Sequence, residues 1–434
     1  MDTRPMQRLR SVRQLALTSL VYPGATHTRF EHSLGVMHLA GRIAERVGFE
    51  RGGREWRWVR LAGLLHDVGH MPFSHAGEAA VAVLTPGMAD LGEAAHERVT
   101  SGLIEHDGGI AGALSSTDRE AVLDLIEKGR CHRRPRPPEP ILWQMISGPL
   151  DADKLDYLLR DSLMAGVRYG VFDLDRMVDS FVPHGRPPDR HLAVRHADLL
   201  CVEQAVLARY YMTQQVYRHQ VRRITDAMLK HAIMSAAKLS GNEARLVRRL
   251  FSTCLPNAET WRDAFLDATD GSLLAQLTKM PRNTQCGMLA RGLRDRHLLK
   301  QVFGDTMADI PEAGVTWREG LVNNISKQGA LARRLAKLLE MDQKLVLVDI
   351  RQRGNPLYRD PGAPLEEEIR VIYDSGRDER LGDVPESLSQ KVKAGEEAEL
   401  YVYAPAEGAT RSERKRMKTR IKNELARAAR EGRP

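Results

Sequence analysis

The chain has 434 residues, of which 42% are hydrophobic, so it can bury a large core, and its length alone predicts two or three domains. Its formal net charge of +8 favours anionic partners, either phosphorylated small molecules or nucleic acid. The four cysteines lie far apart and form no CxxC pair, which argues against a disulfide scaffold and against a cysteine metal site.

The N-terminal segment MDTRPMQRLRSVRQLAL lacks the apolar stretch of a signal peptide. No run of the sequence approaches the roughly 18 uninterrupted apolar residues that a membrane-spanning helix needs. We therefore expect a cytoplasmic protein without a membrane partner.

Helical periodicity dominates most of the chain. Segments 31–48, 54–67 and 151–163 carry apolar residues at the spacing of a helix with one buried face. The pattern continues over 198–238, after a short predicted hairpin near 190–196. The sequence therefore predicts a mainly α fold, built as a helical bundle.

Two proline-rich and arginine-rich segments, 128–140 and 182–190, are predicted to be solvated loops. After about residue 343, the helical pattern gives way to the strand-like runs KLVLVDI, EIRVIYD and ELYVYAP, separated by charged turns. We therefore expect a helical domain over 1–342 and a small α+β lobe over 343–434.

The predicted lobe ends in a basic helix. Residues 411–433 contain ten lysines and arginines against three glutamates, and helices with so much charge are usually solvated faces. A basic strip can also bind single-stranded nucleic acid, although no aromatic residue interleaves this one to stack on bases. Single-stranded nucleic acid therefore stays a candidate partner.

The stretch GLLHDVGHMPFSHAGE, residues 63–78, crowds His66, Asp67, His70 and His75 into ten positions. Core or capping histidines are the ordinary explanation for such a group. An adjacent His-Asp pair at the buried end of a helix favours a metal site instead, because a buried aspartate needs a partner to offset its desolvation. On a helix the two side chains would lie about 100° apart, so one ion could bind both.

The segment HDVGH also resembles the HExxH motif of zinc proteases. That motif needs both histidines on one face of an unbroken helix. Here Gly69 and Pro72 weaken the helix, and an aspartate is shorter than the glutamate base, so the protease interpretation is disfavoured. Instead, His32 and a carboxylate from a later helix would complete a site for Fe, Mn, Zn, Ni or Co.

Four segments together carry a specific resemblance: YPGATHTRFEHSLGVMHLAGRI, LLHDVGHMPFSH, AAHE and DADKLDYLLRDSLMAGV. In order and composition they resemble the HD-domain deoxynucleoside triphosphate triphosphohydrolases, particularly the branch of the vertebrate enzyme with a sterile alpha motif. The resemblance runs from Asp2 to about residue 240. It implies an HD phosphohydrolase domain with a helical extension over 1–342, and we expect no sterile alpha motif ahead of it.

The resemblance implies a catalytic group and a metal site. The implied metal ligands are His32, His66, Asp67 and Asp153. The residues implied around the triphosphate are His70, His75 and His96, with Glu97. In this arrangement His75 lies nearest the scissile bond, and the pair His96 and Glu97 supports its protonation.

The resemblance also implies the substrate contacts. Arg29 would grip the α-phosphate, which suits a planar guanidinium, while Lys154 and Arg209 would hold the outer phosphates. The residues implied at the sugar are Gln14, Tyr157, Asp161 and Tyr217. Tyr157 would form the floor under the deoxyribose, Asp161 and Gln14 would bind the 3′-hydroxyl, and Tyr217 would crowd the 2′ position. The spacing supports part of this set, because residues 153, 157 and 161 share one helix face.

The leading expectation is metal-dependent hydrolysis of dNTPs to deoxynucleoside and tripolyphosphate, with Mg²⁺ accompanying the triphosphate. The alternatives are an HD phosphohydrolase that acts on another nucleotide or a nucleic-acid end, and a binding module without turnover. Asp2 and Arg10 match residues of the family's regulatory nucleotide site. The resemblance further implies a homo-oligomer, either a dimer or a tetramer.

Overall fold

The computed structural model describes residues 1–85, 95–128, 139–252, 254–322, 324–353, 368–388 and 397–433. Cys131 and nearly all of the predicted loop 128–140 lie outside these residues. The described part is mainly helical and carries two small sheets, which confirms the predicted fold class. Among these residues, no helix combines the length and the apolar character that crossing a membrane requires.

The N-terminal body is a bundle of α-helices around one large core. Its first helices are α1 (Arg4–Arg8), α2 (Arg29–Arg46), α3 (Arg54–Leu65), α4 (His75–Leu84), α5 (Ala95–His106), α6 (Gly108–Ala113), α7 (Ser116–Ile126), α8 (Pro140–Ser147) and α9 (Ala152–Ala165). Its later helices are α10 (Leu174–Ser180), α11 (Leu199–Met212), α12 (Gln220–Ala237), α13 (Arg245–Ser252), α14 (Glu259–Asp267), α15 (Asp270–Thr278) and α16 (Gln285–Arg294). A single π-helical turn, Thr213–Tyr217, follows α11.

Helices α2 and α9 carry much of the site, and local sequence signals fix their ends. The backbone N–H of Thr28 donates to the Glu31 side chain at 2.8 Å, which caps the start of α2. At the start of α9, Asp151 accepts from the backbone N–H of Lys154, also at 2.8 Å. Gly166 ends α9 in the left-handed region, with φ 70°.

A glycine lets α2 and α9 approach each other closely. A Cβ at Gly35 would lie 1.8 Å from Oδ1 of Asp156 and 2.6 Å from the Arg160 guanidinium. Any larger residue at position 35 would therefore separate the helix that carries His32 from the helix that carries Asp153.

The strands are β1 (Phe181–His184), β2 (His191–Arg195), β3 (Lys300–Thr306), β4 (Leu347–Arg353), β5 (Arg370–Ile372), β6 (Asp378–Arg380) and β7 (Glu397–Ala404). They form two sheets, in the orders β1-β2-β5-β6 and β3-β7-β4. The hairpin predicted near 190–196 is β1 paired antiparallel with β2. Strand β1 includes the first three residues of the segment 182–190, which the sequence predicts to be a loop, and these residues pair with β2.

The C-terminal lobe has a core of its own, which begins at Val302. It includes α17 (Val315–Val322), α18 (Ile325–Leu339) and the basic helix α19 (Arg411–Arg430), and its sheet pairs β3 with β7. The predicted boundary between 342 and 343 therefore runs through a shared core. Strand β5 lies within the predicted lobe 343–434 in the sequence, but it pairs in parallel with β2 of the helical body.

The basic helix packs on the lobe through its apolar residues, and Ile421 and Leu425 are fully buried. Several of its cations have partners on the protein. Lys422 lies 3.8 Å from Asp305, and Arg427 pairs with Glu431 at 2.9 Å. Nucleic-acid binding by this helix stays a prediction.

Candidate active site

The HD pair lies in a turn rather than inside a helix. Helix α3 ends at Leu65, and α4 begins only at His75. Between them, Phe73 and Ser74 adopt positive φ values of 61° and 53°, a strained backbone that surrounding contacts must hold. His66 and His70 therefore do not share one unbroken helix, which removes the basis for the HExxH interpretation.

Two side chains from elsewhere in the fold hold this turn. The backbone N–H of Phe73 donates to Oδ1 of Asp270 at 2.7 Å. The Ser74 hydroxyl accepts from Nε of Arg29 at 2.8 Å and donates to the carbonyl of Arg13 at 3.1 Å. The turn thereby brings the start of α4 against the start of α2.

The four residues that the sequence analysis names as metal ligands meet at one point. Nε2 of His32 lies 2.9 Å from Oδ1 of Asp153 and 3.8 Å from Oδ2 of Asp67. Nε2 of His66 lies 3.1 Å from Oδ1 of Asp67 and 3.7 Å from Oδ1 of Asp153. Donor atoms of His32, His66 and Asp67 lie within 4.8 Å of one another, close enough to hold one ion.

The hydrogen bonds of the two histidines fit a metal. Nδ1 of His32 donates to Asp156 at 2.8 Å, and Nδ1 of His66 donates to the carbonyl of Gly63 at 2.8 Å. Both Nε2 atoms are buried and have no hydrogen-bond partner among the described residues. A hydrogen bond at Nδ1 fixes the tautomer and the orientation of each imidazole and leaves Nε2 as the atom that can bind a metal.

The charges of the site also favour a cation. Burial alone would lower the pKa of His32, but the carboxylates of Asp153, Asp156 and Asp67 outweigh it and raise the pKa to about 10. A group of carboxylates that holds a proton so strongly can hold a divalent ion in its place, since metal binding displaces ligand protons. The residues present therefore fit a divalent metal.

Beside this cluster lies a second group of histidines, organised by Glu78. This glutamate is fully buried, and its Oε1 accepts from Nδ1 of His70. Its Oε2 accepts from Nδ1 of His75 at 3.0 Å and lies 3.5 Å from Nδ1 of His96. The rings of His70 and His96 stack at 3.9 Å.

The two stacked histidines have opposite pKa shifts. Burial and the nearby Arg29 lower the pKa of His70 to about 4. Burial would also lower the pKa of His96, but the Glu78 carboxylate outweighs it and raises the pKa to about 9. At neutral pH the pair therefore combines a neutral imidazole and a cationic one, an arrangement typical of acid-base sites.

Glu78 is a residue that the sequence analysis missed, because it assigned the supporting carboxylate to Glu97. Glu97 lines the cavity that His66, Asp67 and Asp153 also line, and its Oε1 lies 3.4 Å from Nζ of Lys128. The available signal was the position of Glu78 three residues after His75, as the one acid in the apolar helix HAGEAAVAVL.

The predicted phosphate contacts line the same cavity as the metal cluster, which has a volume of about 450 Å³. Arg29 is buried, and its Nη1 donates to Oδ2 of Asp67 at 2.5 Å. Nζ of Lys154 donates to Asp151 at 2.6 Å and to the carbonyl of Gly148 at 2.8 Å. Arg209, on α11, also lines this cavity.

The predicted sugar group lies next to the phosphate contacts. The Tyr217 hydroxyl donates to Oδ2 of Asp161 at 2.8 Å, and His27 contacts Oδ1 at 2.7 Å. The rings of Tyr157 and Tyr217 meet edge to face at 6.1 Å. Oε1 of Gln14 is buried without a partner among the described residues, so it can accept from a ligand.

The remaining predicted residues lie apart from this cavity. Neither Asp2 nor Arg10 lines it, and the Arg10 guanidinium stacks over the Phe30 ring at 3.7 Å. Asp156 and Arg160, one turn apart on α9, form an ion pair at 2.8 Å. The Asp156 side chain is only 8% exposed and orients His32.

Comparison with known families agrees with this geometry. Residues 29–157 match the HD domain family, and residues 172–250 match the HD associated region. This chain is an HD-domain protein. The metal cluster lies wholly within the HD-domain match, whereas Arg209 and Tyr217 lie in the associated region, so the cavity is built from both.

Among curated proteins, the chain is 32% identical to a deoxynucleoside triphosphate triphosphohydrolase SAMHD1 homolog of Dictyostelium discoideum, over 76% of this chain and 60% of that protein. It is 27% identical to the deoxynucleoside triphosphate triphosphohydrolase SAMHD1 of Gallus gallus, over 75% of this chain and 56% of that protein. An uncharacterized protein of Methanocaldococcus jannaschii is 33% identical over 54% of this chain and 45% of that protein. The chain thus spans about half the length of the curated relatives it matches.

Two solved structures share the fold of this HD-domain protein. A phosphohydrolase of Bacteroides thetaiotaomicron superposes with a TM-score of 0.69 at 21% identity, covering 93% of this chain and 94% of that one. A hypothetical protein of Aquifex aeolicus superposes with a TM-score of 0.65 at 26% identity, covering 97% and 94%.

Proposed function

We propose that this protein is a metal-dependent dNTP triphosphohydrolase that releases deoxynucleoside and tripolyphosphate. The observation that carries the proposal is a pair of adjoining cavities that share Arg29, Tyr157 and Arg209. Along them, a carboxylate and imidazole cluster that fits a divalent metal adjoins three cations and a tyrosine-lined group that could bind a sugar. The similarity to the deoxynucleoside triphosphate triphosphohydrolases of Dictyostelium and Gallus supports the same substrate class.

The proposed ligands of the metal are His32, His66, Asp67 and Asp153. When bound, the metal would supply an activated water and neutralise charge on the phosphoryl oxygens. Asp156 and the carbonyl of Gly63 keep the two imidazoles oriented for this task.

The chain's own residues supply the remaining chemistry. Arg29 would bind the α-phosphate through the guanidinium donors that Asp67 and Ser74 leave unused. Lys154 and Arg209 would neutralise the outer phosphates. Hydrolysis at the α-phosphorus also requires a proton for the departing 5′-oxygen. His75 would give that proton, because the Glu78 carboxylate holds its Nδ1 and leaves Nε2 for the reaction.

The sugar group accounts for the preference for deoxyribose. Tyr157 would form the floor, and Tyr217 would stand where a 2′-hydroxyl needs space. Each Asp161 oxygen already accepts one hydrogen bond and keeps a lone pair, so this carboxylate can still accept from the 3′-hydroxyl.

The product assay tests this proposal. Purified protein with Mn²⁺, Mg²⁺, Fe²⁺ or Co²⁺ is given the four dNTPs singly and mixed, and the products are separated by chromatography. Deoxynucleoside and tripolyphosphate in equal amounts support the proposal. Release of orthophosphate or pyrophosphate would indicate cleavage at another phosphorus and favour a different HD phosphohydrolase activity. No turnover would favour a binding module.

The homo-oligomer stays a prediction that light scattering can measure on the same preparation. Regulation through Asp2 and Arg10 is likewise a prediction. The mixed-dNTP arm of the assay tests it, since an activating nucleotide would raise turnover of the others.

A further inference from the structure

A second cavity, of about 900 Å³, adjoins the proposed sugar group. Gln14, Tyr157 and Arg209 line both cavities, and the second extends from them to one face of α12. A nucleotide with its phosphates at Arg29 and its 3′-hydroxyl at Asp161 would direct its base into this space. The composition of the second cavity therefore bears on which base is accepted.

The walls of this cavity suit a flat ring. Leu15 follows Gln14 in the chain, and three small residues, Ala76, Ala79 and Ala227, contribute apolar surface from α4 and α12. Such walls bury the faces of any base equally well. Discrimination between bases must therefore come from polar atoms that meet the base edge.

Arg222 and Asp226, one turn apart on α12, supply such atoms. Nε of Arg222 lies 3.8 Å from Oδ2 of Asp226, beyond hydrogen-bond distance, although the side chains are only 11% and 16% exposed. Nε and Nη1 of Arg222 and Oδ1 of Asp226 are buried and have no hydrogen-bond partner among the described residues. The pair thus leaves donors and an acceptor open side by side.

Three other charges at this end of the cavity, those of Lys230, Asp349 and Arg351, already have partners. Asp349 accepts from Nζ of Lys230 at 3.2 Å and from Nε of Arg351 at 2.8 Å. Oδ2 of Asp226 lies 3.9 Å from Arg351, which leaves Oδ1 as the open acceptor. Buried polar atoms without partners cost stability, so a ligand that satisfies them gains affinity and selectivity.

We propose that Arg222 and Asp226 recognise the edge of the substrate base and that guanine is the base they select, an inference that rests on the proposed dNTP hydrolysis. Guanine presents two donors, N1–H and the 2-amino group, to a carboxylate, and two acceptors, O6 and N7, to a guanidinium. Adenine lacks the N1–H and the 2-amino group and carries an amino group where guanine has O6. In the same position it would set its N1 lone pair against the carboxylate and its 6-amino group against the guanidinium, so that N7 is the one matched contact, and a site built for hydrogen bonds discriminates against such an analogue.

Competition among substrates on the wild-type protein tests this directly. An equimolar mixture of the four dNTPs is hydrolysed with the metal that supports turnover, and the ratios of product formation give the ratios of kcat/KM. We expect dGTP to exceed dATP by about ten-fold or more. In a second mixture, dITP, which lacks only the 2-amino group, should fall between them. Equal rates for the four bases overturn the inference and leave the proposed function intact, whereas hydrolysis of none overturns both.

Two substitutions and a matched control locate the effect. Asp226→Asn should lower the ratio of dGTP to dATP turnover by about ten-fold or more, because an amide complements the edge of adenine. Arg222→Gln should lower the same ratio. The control is Arg223→Gln, which removes one charge from the same cavity at a side chain that stacks over Tyr401 at 4.0 Å, and it should leave the ratio unchanged.

The control also separates base recognition from simple attraction of the triphosphate. If Arg222→Gln lowers turnover of all four dNTPs by the same factor, Arg222 acts through its charge alone and the inference is wrong. If Asp226→Asn fails to fold, Arg222→Gln and the wild-type comparison of dGTP with dITP decide.

Discussion

The protein contains two neighbouring clusters of imidazoles and carboxylates that differ in how their nitrogen atoms are used. In the cluster of His32 and His66, every Nδ1 has a partner, while both Nε2 atoms face carboxylates without a hydrogen bond. In the cluster of His70 and His75, one buried glutamate accepts from both Nδ1 atoms. Similar residue types thus form one open cluster, whose Nε2 atoms can bind a cation, and one closed cluster, whose Nδ1–H groups donate to a central carboxylate.

The two arrangements of nitrogen atoms suit different functions. Open nitrogens beside several carboxylates require a positive ion, so we assign the first cluster to metal binding. A closed cluster around one carboxylate instead holds protons on defined nitrogens, so we assign the second to proton transfer. Asp67 joins them, because its Oδ1 lies 3.1 Å from His66 and 3.0 Å from His70.

The largest expected effect comes from removing the shared carboxylate. Asp67→Ala should abolish both metal binding and activity, whereas the wild-type protein should carry close to one transition metal per chain. Metal content is measured by mass spectrometry of the purified protein. The control is Asp175→Ala, which removes an 83% exposed carboxylate from a surface ion pair and should change neither quantity. If the Asp67→Ala variant retains metal, the metal binds at a site that does not include Asp67.

The next effect separates the two clusters. Glu78→Gln should leave the metal content unchanged and lower kcat by about a hundred-fold or more, because a neutral amide cannot hold protons on the surrounding imidazoles. Glu97→Gln, the matched change beside His96, should cost much less. Circular dichroism checks that both variants fold. Equal losses in the two variants would return the supporting role to Glu97.

The sequence predicted the metal cluster better than the histidine cluster, for a physical reason. Resemblance named His32, His66, Asp67 and Asp153, and the structure brings all four together. Glu78 was missed because its spacing from His75 does not by itself show that the carboxylate is buried. Its burial depends on three imidazoles from α4, α5 and the preceding turn, which periodicity cannot show.

The packing of the lobe has the same origin. The amphipathic pattern of α18 is identical whether its apolar face packs on helices or on a sheet, so the sequence pattern does not show that residues from Val302 onward share a core with the strands after 343. The close approach of α2 at Gly35, which buries Asp156 against His32, is a tertiary contact that the spacing does not encode.

A smaller effect is expected at the sugar group. Tyr217→Ala should relax the preference for dNTPs over NTPs by about ten-fold, because a rigid ring is what keeps a 2′-hydroxyl out. Tyr217→Phe keeps the ring and should keep the preference. Asp161→Ala should lower turnover of both sugar types and leave their ratio unchanged. An unchanged ratio after Tyr217→Ala would contradict the assignment.

The smallest expected effect is a pH dependence of the free energy of unfolding that comes from His96 in the closed cluster around Glu78. Since the folded protein raises the pKa of His96 to about 9 from an unfolded value near 6.5, the protonated form is stabilised by folding. This contribution, on the order of 2 to 3 kcal/mol, is fully present below about pH 6.5 and is lost as the pH rises through about 9.

His96→Gln should therefore lower the urea midpoint at pH 6 and change it little at pH 10. Glu78→Gln should remove the same pH dependence, because it removes the anion that holds the proton on His96. A control at His106, which is 40% exposed and lies outside both clusters, should show no such dependence when changed to Gln. If the urea midpoints of wild type and His96→Gln differ by the same amount at pH 6 and at pH 10, His96 is a neutral ring in the folded protein. The cluster around Glu78 would then contain no protonated His96.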